Sequence, residues 1–589
     1  MSGTGVRWTR EQQQVIESRG KNLLVSAAAG SGKTAVLVER IIRMVTEGEH
    51  PLDIDQLLVM TFTNAAAAEM RERIGAAIEA RLLEEPDNEH LQIQSALIHH
   101  AQITTIDSFC LHVIREHFNQ LDLDPSFRIG DEGELMLLRA DVMEELLEDF
   151  YENGGERFEW FVETFGQGKS DAGIEDHILQ VYTFSQSNPY PDQWLARCRK
   201  ELGMESGDSG EGGSGGAGKA GDQEQPEQAE RRQEQPRQEQ KERRQEQPAA
   251  PAWMGFLLSD ARKQLKELAA QMEESLELCR EDEYLCAYEP MLANDVRQLS
   301  QAAEAGTFEE LYEELSGITW DRLAAVRSKE VDAERKAFVT GCRDRVKKAA
   351  AKLRDLYCFA PPQEMAEDMK GTAEAVEVLL ELAEEFDRRF QEKKRERNLV
   401  DFNDLEHQAL KVLLRWEDGA VRYTDAADEL SAQFEEVLVD EYQDSNLVQE
   451  ALLNAVSRER FGRDNVFMVG DVKQSIYRFR LARPELFLEK YTAYEPYETG
   501  DGTKKKIELH QNFRSRDTVL SAVNDVFYRI MSEDLGDIRY TEDAALHPGA
   551  SFAEIPEEAF PKGRDLEPEL LGVDTGGGAV DGLEEEAAE

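Results

Sequence analysis

Short apolar, β-branched runs alternate with stretches of helical periodicity near both ends of the chain. Four of these runs predict strands: Leu23–Ser26, Leu57–Met60, Val437–Val439 and Val466–Val469. Short buried strands that alternate with helices are typical of a parallel α/β sheet. We therefore expect a fold of the α/β class, with one parallel sheet whose strands come from two distant parts of the 589-residue chain.

The stretch between the two groups of strands has a helical pattern. Glu132–Tyr151 and Ala373–Arg397 are rich in Leu, Glu, Ala and Arg, with apolar residues three and four positions apart, which predicts helices. Lys33 and Asp440, which follow strands of the same predicted sheet, are 407 positions apart. A single compact α/β domain does not separate its strands so far, so we expect a large, mainly helical insertion.

Two segments lack the apolar residues that a core requires. Residues 204–251 are first rich in Gly and Ser and then repeat QEQP among Glu and Arg, and this composition is typical of a disordered loop. A partner-binding tether is the less favoured alternative. The segment from about Pro556 to the last residue is acidic and rich in glycine, and we expect it to be poorly ordered as well.

The charge balance limits how the chain could bind nucleic acid. The chain has 68 basic and 120 acidic residues, a net charge of -52, which argues against a generally basic surface. Any contact with DNA must then be a local groove. The six cysteines form no CxxC pair, which favours reduced thiols over a disulfide or zinc framework. No secretory h-region or run of about 18 apolar residues is present. We therefore expect a cytoplasmic protein without membrane contact.

The first candidate site is AAAGSGKT, which follows the first predicted strand and precedes a helix over Thr34–Val45. The backbone N–H groups around Gly30 and Gly32 can point at phosphate oxygens. Lys33 would contact the β and γ phosphates, and Thr34 would ligate magnesium. A chance Gly/Ser turn is the alternative, and the strand–loop–helix context disfavours it. The predicted phosphate-binding residues are Ala27, Ala28, Ala29, Gly30, Ser31, Gly32, Lys33 and Thr34.

The second candidate site is VDEYQD, directly after the third predicted strand. Asp440 would hold magnesium, and Glu441 would orient and deprotonate an attacking water. Paired acids in such an acidic chain are usually solvated surface residues. The buried strand before them and the phosphate loop elsewhere in the chain favour the catalytic interpretation, which predicts ATP and Mg²⁺ as cofactors.

Seven motifs in order along the chain, together with the segment before one of them, carry a family resemblance. They resemble motifs of superfamily 1A helicases, the UvrD/Rep/RecB group with its RecA-like sheet, and most closely the AddA subunits of bacterial AddAB helicase–nucleases. Besides the two sites above, the matching segments are Trp8–Ile16 (Q-motif), Val59–Ile74 (motif Ia), Ile103–Cys110 (Ib), Leu399–Leu405 (before motif II), Val469–Phe487 (III) and Leu509–Ser515 (IV).

The resemblance assigns further residues to the nucleotide. Gln12 would read the adenine, and Phe513 could stack on it. Gln474 is an amide that could contact the γ-phosphate and sense DNA, and Arg514 would act as an arginine finger that compensates phosphoryl charge.

The resemblance also implies a single-stranded DNA track. Aromatic side chains after strands could stack on bases, although core packing is their usual role. Hydroxyl and amide side chains could hold phosphates without sequence preference. The predicted DNA-binding residues are Thr61, Phe62, Thr63, Asn64, Thr105, Ser108, Tyr477 and Phe479. The chain has Asp at position 107, where many relatives have His, and Phe at 479, where many have Trp.

The motif positions imply a domain plan. Residues 1–115 and 391–490 would form a RecA-like motor domain, 116–390 the helical insertion, and 491–589 the start of a second RecA-like domain. Motifs V and VI and the family's nuclease domain are not found, so we expect the N-terminal half of a longer family member.

The implied function is an ATP-dependent 3′-to-5′ helicase in double-strand break repair. Its expected partners are single-stranded DNA, double-stranded DNA ends and an AddB-like subunit. The alternative is an ATP- and DNA-binding fragment without motor activity. A kinase or small GTPase is disfavoured, because no NKxD guanine signature is present.

Overall fold

The computed structural model describes residues 7–121, 123–166, 170–201, 252–326, 331–417, 419–532 and 538–553. The segment 204–251 and the acidic segment from Pro556, for which we predict disorder, lie outside the described residues. No helix of the described part of the chain is long and apolar enough to cross a membrane.

The strands of the described residues are β1 (Asn22–Ala27), β2 (Leu57–Thr61), β3 (Gln102–Thr105), β4 (Arg128–Ile129), β5 (Leu399–Val400), β6 (Leu414–Glu417), β7 (Ala420–Tyr423), β8 (Glu436–Val439), β9 (Val466–Gly470), β10 (Glu495–Pro496), β11 (Lys504–Leu509), β12 (Gln511–Asn512) and β13 (His547–Pro548). Seven of them run parallel in the main sheet, in the order β10-β11-β1-β9-β8-β2-β3. Three further pairs, β4–β5, β6–β7 and β12–β13, lie outside it.

The four predicted strands correspond to β1, β2, β8 and β9, and they lie in one parallel sheet as expected. Strand β11 was not predicted, because its sequence KKKIEL begins with three lysines. Lys505 is nevertheless buried and donates to Glu495 at 2.9 Å. Since β11 pairs with β1 along its length, the predicted boundary at residue 490 is wrong: residues 495–509 contribute two strands to the first sheet.

The helices cover both groups of strands and fill the insertion. In chain order they are Arg10–Glu17, Lys33–Thr46, Asn64–Glu84, Glu89–Leu97, Ile106–His117, Glu132–Asn153, Gly155–Phe165, Ala172–Gln186, Pro191–Glu201, Ala252–Glu281, Glu289–Ala303, Phe308–Ser316, Ala333–Tyr357, Pro362–Glu396, Phe402–Leu413, Asp425–Gln433, Leu447–Val456, Pro484–Ala493 and Asp517–Ile530.

The described residues divide into two compact units. The first is drawn from residues 1–145, 180–191 and 385–589 and contains the seven-stranded sheet. The second is drawn from residues 146–179 and 192–384 and is helical. The insertion therefore departs from the expected range of 116–390 at both ends, and residues 180–191 pack with the sheet unit.

Both faces of the sheet are buried in the first unit. Alternate residues of a strand point to opposite faces, so Leu24 and Val25 of β1 enter two different apolar clusters. Leu24 packs in a cluster with Phe109, and Val25 packs in a cluster with Ile41. Helices on both faces explain why the strands are apolar throughout rather than alternating.

The second unit has its own core of Leu, Ala and Met side chains on the helices between Ala252 and Glu396. Its buried charges are paired: Arg343 Nε donates to Asp295 Oδ2 at 2.6 Å, and both side chains are almost fully buried. The mainly helical character predicted for the insertion is confirmed.

Candidate functional site

The predicted motifs follow the carboxyl ends of neighbouring strands. AAAGSGKT continues from β1, VDEYQD from β8, and the segment with Gln474 from β9, which lies between them. The carboxyl edge of a parallel α/β sheet is where such folds bind their ligands. The sheet order therefore brings three distant sequence segments to one edge.

The loop after β1 has the geometry of an anion cradle. Gly30 and Gly32 have φ angles of 71° and 83°, which favour glycine, and the following helix begins at Lys33. Among the residues that the structure describes, the buried Ser31 hydroxyl oxygen has no hydrogen-bond partner. Loop N–H groups at a helix N-terminus bind phosphate readily, so this cradle fits the predicted nucleotide.

Lys33 and Glu441 form an ion pair at the centre of the site. Lys33 Nζ lies 2.7 Å from Glu441 Oε2. Burial raises the pKa of Asp440 to about 6, and the charge of Glu441 adds to this shift, whereas the charge of Lys33 opposes it. A nearby cation stabilises the ionised form of such a carboxyl group. The lysine after β1 and the two acids after β8 thus lie together at this edge of the sheet.

Glu441 has an unusual backbone conformation, with φ of 51° and ψ of 43°. A non-glycine residue in the left-handed region costs about 1 kcal/mol or more, and such strain is concentrated at functional sites. The Glu441 N–H donates to Asp440 Oδ1 at 3.0 Å, which supports this turn. The strained turn fixes where the Glu441 carboxylate projects.

The motif with Asn512 is joined to the phosphate loop. Asn512 Nδ2 donates to the carbonyl oxygen of Ala29 at 2.7 Å, and the Phe513 N–H donates to the carbonyl oxygen of Gly30 at 2.9 Å. A Cβ at Gly30 would lie 2.7 Å from the Asn512 amide, so only glycine fits there. Arg514 is exposed, two residues after this contact.

A cavity of about 490 Å³ lies beside this junction. Gln12 Nε2 donates to the carbonyl oxygen of Ser31 at 3.0 Å, and its Oε1 accepts the N–H of Thr9. Gln12 and Phe513, which were predicted to contact adenine, therefore both line this cavity. The lining residues are Thr9, Glu11, Gln12, Ser31, Glu508, Leu509, His510, Gln511, Phe513 and His547.

Three of the predicted DNA-binding residues form an aromatic row. The ring centre of Tyr477 lies 4.9 Å from that of Phe62 and 5.9 Å from that of Phe479. Phe62 is 40% exposed and Phe479 is 76% exposed, so neither ring belongs to the core. Exposed aromatic rings at this spacing offer successive stacking surfaces.

The predicted hydroxyl contacts are less exposed. Thr61 is buried and donates to the carbonyl oxygen of Thr63 at 3.0 Å. Thr105 is also buried and donates to Ser108 Oγ at 3.0 Å, while Thr63 caps the helix that begins at Asn64. Thr61 and Thr105 thus shape their loops from within, whereas Thr63 and Asn64 are at the surface.

Comparison with known proteins agrees with this arrangement. The family model described as the UvrD/REP helicase N-terminal domain matches residues 8–495. The chain belongs to the UvrD/Rep helicase family. Curated relatives of this helicase chain include proteins that are named as one subunit of an ATP-dependent helicase/nuclease.

The relative from Lachnoclostridium phytofermentans is 46% identical over 553 residues, which cover 93% of this helicase chain and 37% of the relative. Those from Clostridium beijerinckii and Clostridium perfringens strain 13 are 41% and 42% identical, with 93% and 95% of this chain and 41% of each relative covered. The chain spans about two fifths of the length of these relatives.

The helicase site contains side chains to which sequence reasoning gave no role. Asn512 joins two loops, and Gln443 contacts acids on two strand ends. The guanidinium carbon of Arg480 lies 5.4 Å from the Tyr477 ring centre and 5.7 Å from that of Phe479. All three belong to the motifs named above, which was the available signal. However, Asn512 bonds to Ala29 across 483 positions, and Gln443 accepts the N–H of Asp471 across 28 positions.

The donor set fits magnesium as these sites use it. No group of three or more His, Cys, Asp or Glu side chains in the described ranges forms a complete metal site. Mg²⁺ commonly takes one or two protein oxygens and completes its shell with phosphate and water. Thr34 at the start of its helix and the half-buried Asp440 carry such oxygens.

Proposed function

We propose that this chain is the N-terminal motor part of an ATP-dependent DNA helicase that translocates 3′ to 5′ on single-stranded DNA. The observation that carries the proposal is the Lys33–Glu441 pair at 2.7 Å, which joins a phosphate-binding loop to an acidic turn at one sheet edge. The aromatic row of Phe62, Tyr477 and Phe479 near the same edge supports DNA as the polymer that the motor follows.

The chemistry assigned to the residues is ATP hydrolysis. Lys33 leaves Glu441 and contacts the β and γ phosphates, which frees the Glu441 carboxylate to orient and deprotonate water. Thr34 and Asp440 would hold magnesium, which would neutralise phosphate charge. Gln474 senses the γ-phosphate, and Arg514 compensates the charge that develops on the transferred group.

The nucleotide base occupies the cavity lined by Gln12 and Phe513 in this proposal. That cavity has a volume of about 490 Å³, and Ser31 of the phosphate loop is part of its wall. Adenine is a flat ring with a polar edge. Its face would stack on Phe513, and its edge would form a hydrogen bond with Gln12.

The proposed biological role follows the names of the relatives. A protein named as one subunit of a helicase/nuclease implies a second subunit, and we propose an AddB-like partner, with double-stranded DNA ends as the substrate of the complex in break repair. A cytoplasmic location is part of the same proposal.

Steady-state ATP hydrolysis, with and without single-stranded DNA, tests the motor proposal. We expect hydrolysis that DNA stimulates and that Lys33→Ala lowers by at least about a hundredfold, because the phosphate charge loses its main cation. Lys21→Ala is the matched control, since Lys21 precedes β1 whereas Lys33 follows it.

Two results would contradict the proposal. Equal rates of hydrolysis in the parent chain and in Lys33→Ala would show that ATP is not hydrolysed at the site assigned to Lys33. ATP binding without turnover would instead support the alternative function, a nucleotide- and DNA-binding segment that gains motor activity only with the rest of its protein.

A further inference from the structure

Gln443 is a buried amide that contacts both acidic strand ends. It is only 1% exposed. Its Nε2 donates to Glu441 Oε2 and to Asp444 Oδ2, both at 3.0 Å, and its Oε1 accepts the N–H of Asp471 at 3.0 Å. Carboxylates only accept and a backbone N–H only donates, so these partners fix the orientation of the amide. The side chain therefore bridges the turn after β8 and the turn after β9.

Asp471 extends this bridge to the predicted γ-phosphate sensor. Its Oδ2 accepts from Gln474 Nε2 at 2.7 Å, and its Oδ1 lies 2.9 Å from Lys473 Nζ. Gly470 leaves room for the bridge, because a Cβ at that position would overlap Gln443 Oε1. A continuous hydrogen-bonded path thus runs from Glu441 through Gln443 and Asp471 to Gln474.

One carboxylate oxygen of Glu441 accepts hydrogen bonds from two side chains. Glu441 Oε2 accepts from Lys33 Nζ at 2.7 Å and from Gln443 Nε2 at 3.0 Å. When Lys33 turns to phosphate, the amide remains as a neutral donor to this carboxylate. This hydrogen bond keeps the carboxylate in place after the cation has moved away.

We propose that Gln443 is a positioning residue that holds Glu441 for water activation and links its position to that of Gln474. This proposal rests on the proposed ATP hydrolysis. A contact of Gln474 with nucleotide or DNA would move Asp471, and through Gln443 the Glu441 carboxylate. Gln443 thereby contributes to the stimulation of hydrolysis by DNA without touching the substrate itself.

The test compares Gln443→Ala and Gln443→Glu with the parent chain. In Gln443→Ala we expect kcat to fall on the order of a hundredfold because the carboxylate loses its fixed position, while KM for ATP changes less than about twofold. The fold-stimulation of kcat by single-stranded DNA should approach one. Gln443→Glu replaces the donor by a carboxylate that faces Glu441 and Asp444, so its kcat should fall at least as far as in Gln443→Ala.

Gln94→Ala is the matched control. Gln94 is fully buried in the same unit, accepts the N–H of Ile54 at 2.7 Å and donates to Asp53, but lies away from the acidic turns. Its loss should lower the unfolding midpoint and leave kcat and the stimulation by DNA unchanged. A purely structural role of Gln443 would give the same pattern as this control and would overturn the proposal.

Hydrogen exchange provides a readout that does not require turnover. Binding of a non-hydrolysable ATP analogue should protect the amides of residues 470–474 in the parent and not in Gln443→Ala. Equal protection in the parent and in Gln443→Ala would overturn only the proposed link between Gln443 and Gln474. A parent chain that binds no ATP would overturn the proposed function, and this positioning role with it.

Discussion

Glu406 is a nearly buried carboxyl group on helix Phe402–Leu413, only 7% exposed. Its Oε1 accepts from Gln449 Nε2 at 2.8 Å and its Oε2 from Asn446 Nδ2 at 3.5 Å. Burial raises its pKa from the ordinary value of 4.5 to about 7, with the charge of Asp107 adding to the shift. We predict that Glu406→Gln makes the chain more stable at alkaline pH.

The sign and magnitude follow from proton linkage. The folded state binds the Glu406 proton more tightly than the unfolded state, so stability is highest below pH 4.5 and falls as the pH rises through about 7. The full effect of such a shift is about 3.4 kcal/mol. About 0.8 kcal/mol of it is already lost at pH 5, so the parent should lose about 2.5 kcal/mol more than the variant between pH 5 and 8.

Urea unfolding of both proteins at pH 5 and pH 8 measures this difference. Glu429→Gln is the control, because Glu429 is exposed on a neighbouring helix and its replacement should leave the pH dependence of the parent unchanged. If parent and Glu406→Gln lose the same stability between the two pH values, Glu406 is ionised in the folded state at pH 5 and the reasoning from burial is refuted.

Three further substitutions test the site and the core. Phe479→Ala should weaken single-stranded DNA binding by about 1–3 kcal/mol in a fluorescence titration, whereas Phe461→Ala, which removes another exposed ring away from the aromatic row, should not. Asn512→Ala should raise KM for ATP about tenfold, the loss of about 1.4 kcal/mol, and an unchanged KM in steady-state hydrolysis would contradict its role in joining the loops. Lys394→Met leaves two buried aspartates without their cation and should lower the free energy of unfolding in urea by about 3–5 kcal/mol. Lys393→Met, which removes a more exposed ion pair, should cost less than about 1 kcal/mol.

The sequence predicted those parts of the fold in which a local pattern and the burial agree. The strands that precede the phosphate loop and the acidic turn are apolar, and both were found at the expected positions. Strand β11 was missed because Lys505 looks like a surface residue and is instead buried against Glu495 and backbone carbonyl groups.

The candidate site shows the same division. Two short motifs predicted Lys33, Asp440 and Glu441, because the residues that define each motif are close together in sequence. The roles of Asn512 and Gln443 depend on partners 483 and 28 positions away, so no local pattern contains them. Burial of Thr61 and Thr105 likewise follows from the packing of the loops rather than from residue type.

The position of β1 inside the sheet has a consequence for how the chain is made. Both sheet neighbours of β1, β9 and β11, come much later in the sequence, and Asn22 on β1 bonds to Val466 across 444 positions. At about 5–20 residues per second of synthesis, β1 waits roughly 20–90 s on the ribosome before either partner exists. Throughout that time the unpaired N–H and C=O groups on both edges of this apolar strand are open to wrong pairing, while the intervening helices form first from local contacts. Expression of the chain should therefore respond strongly to chaperones that cover exposed strands.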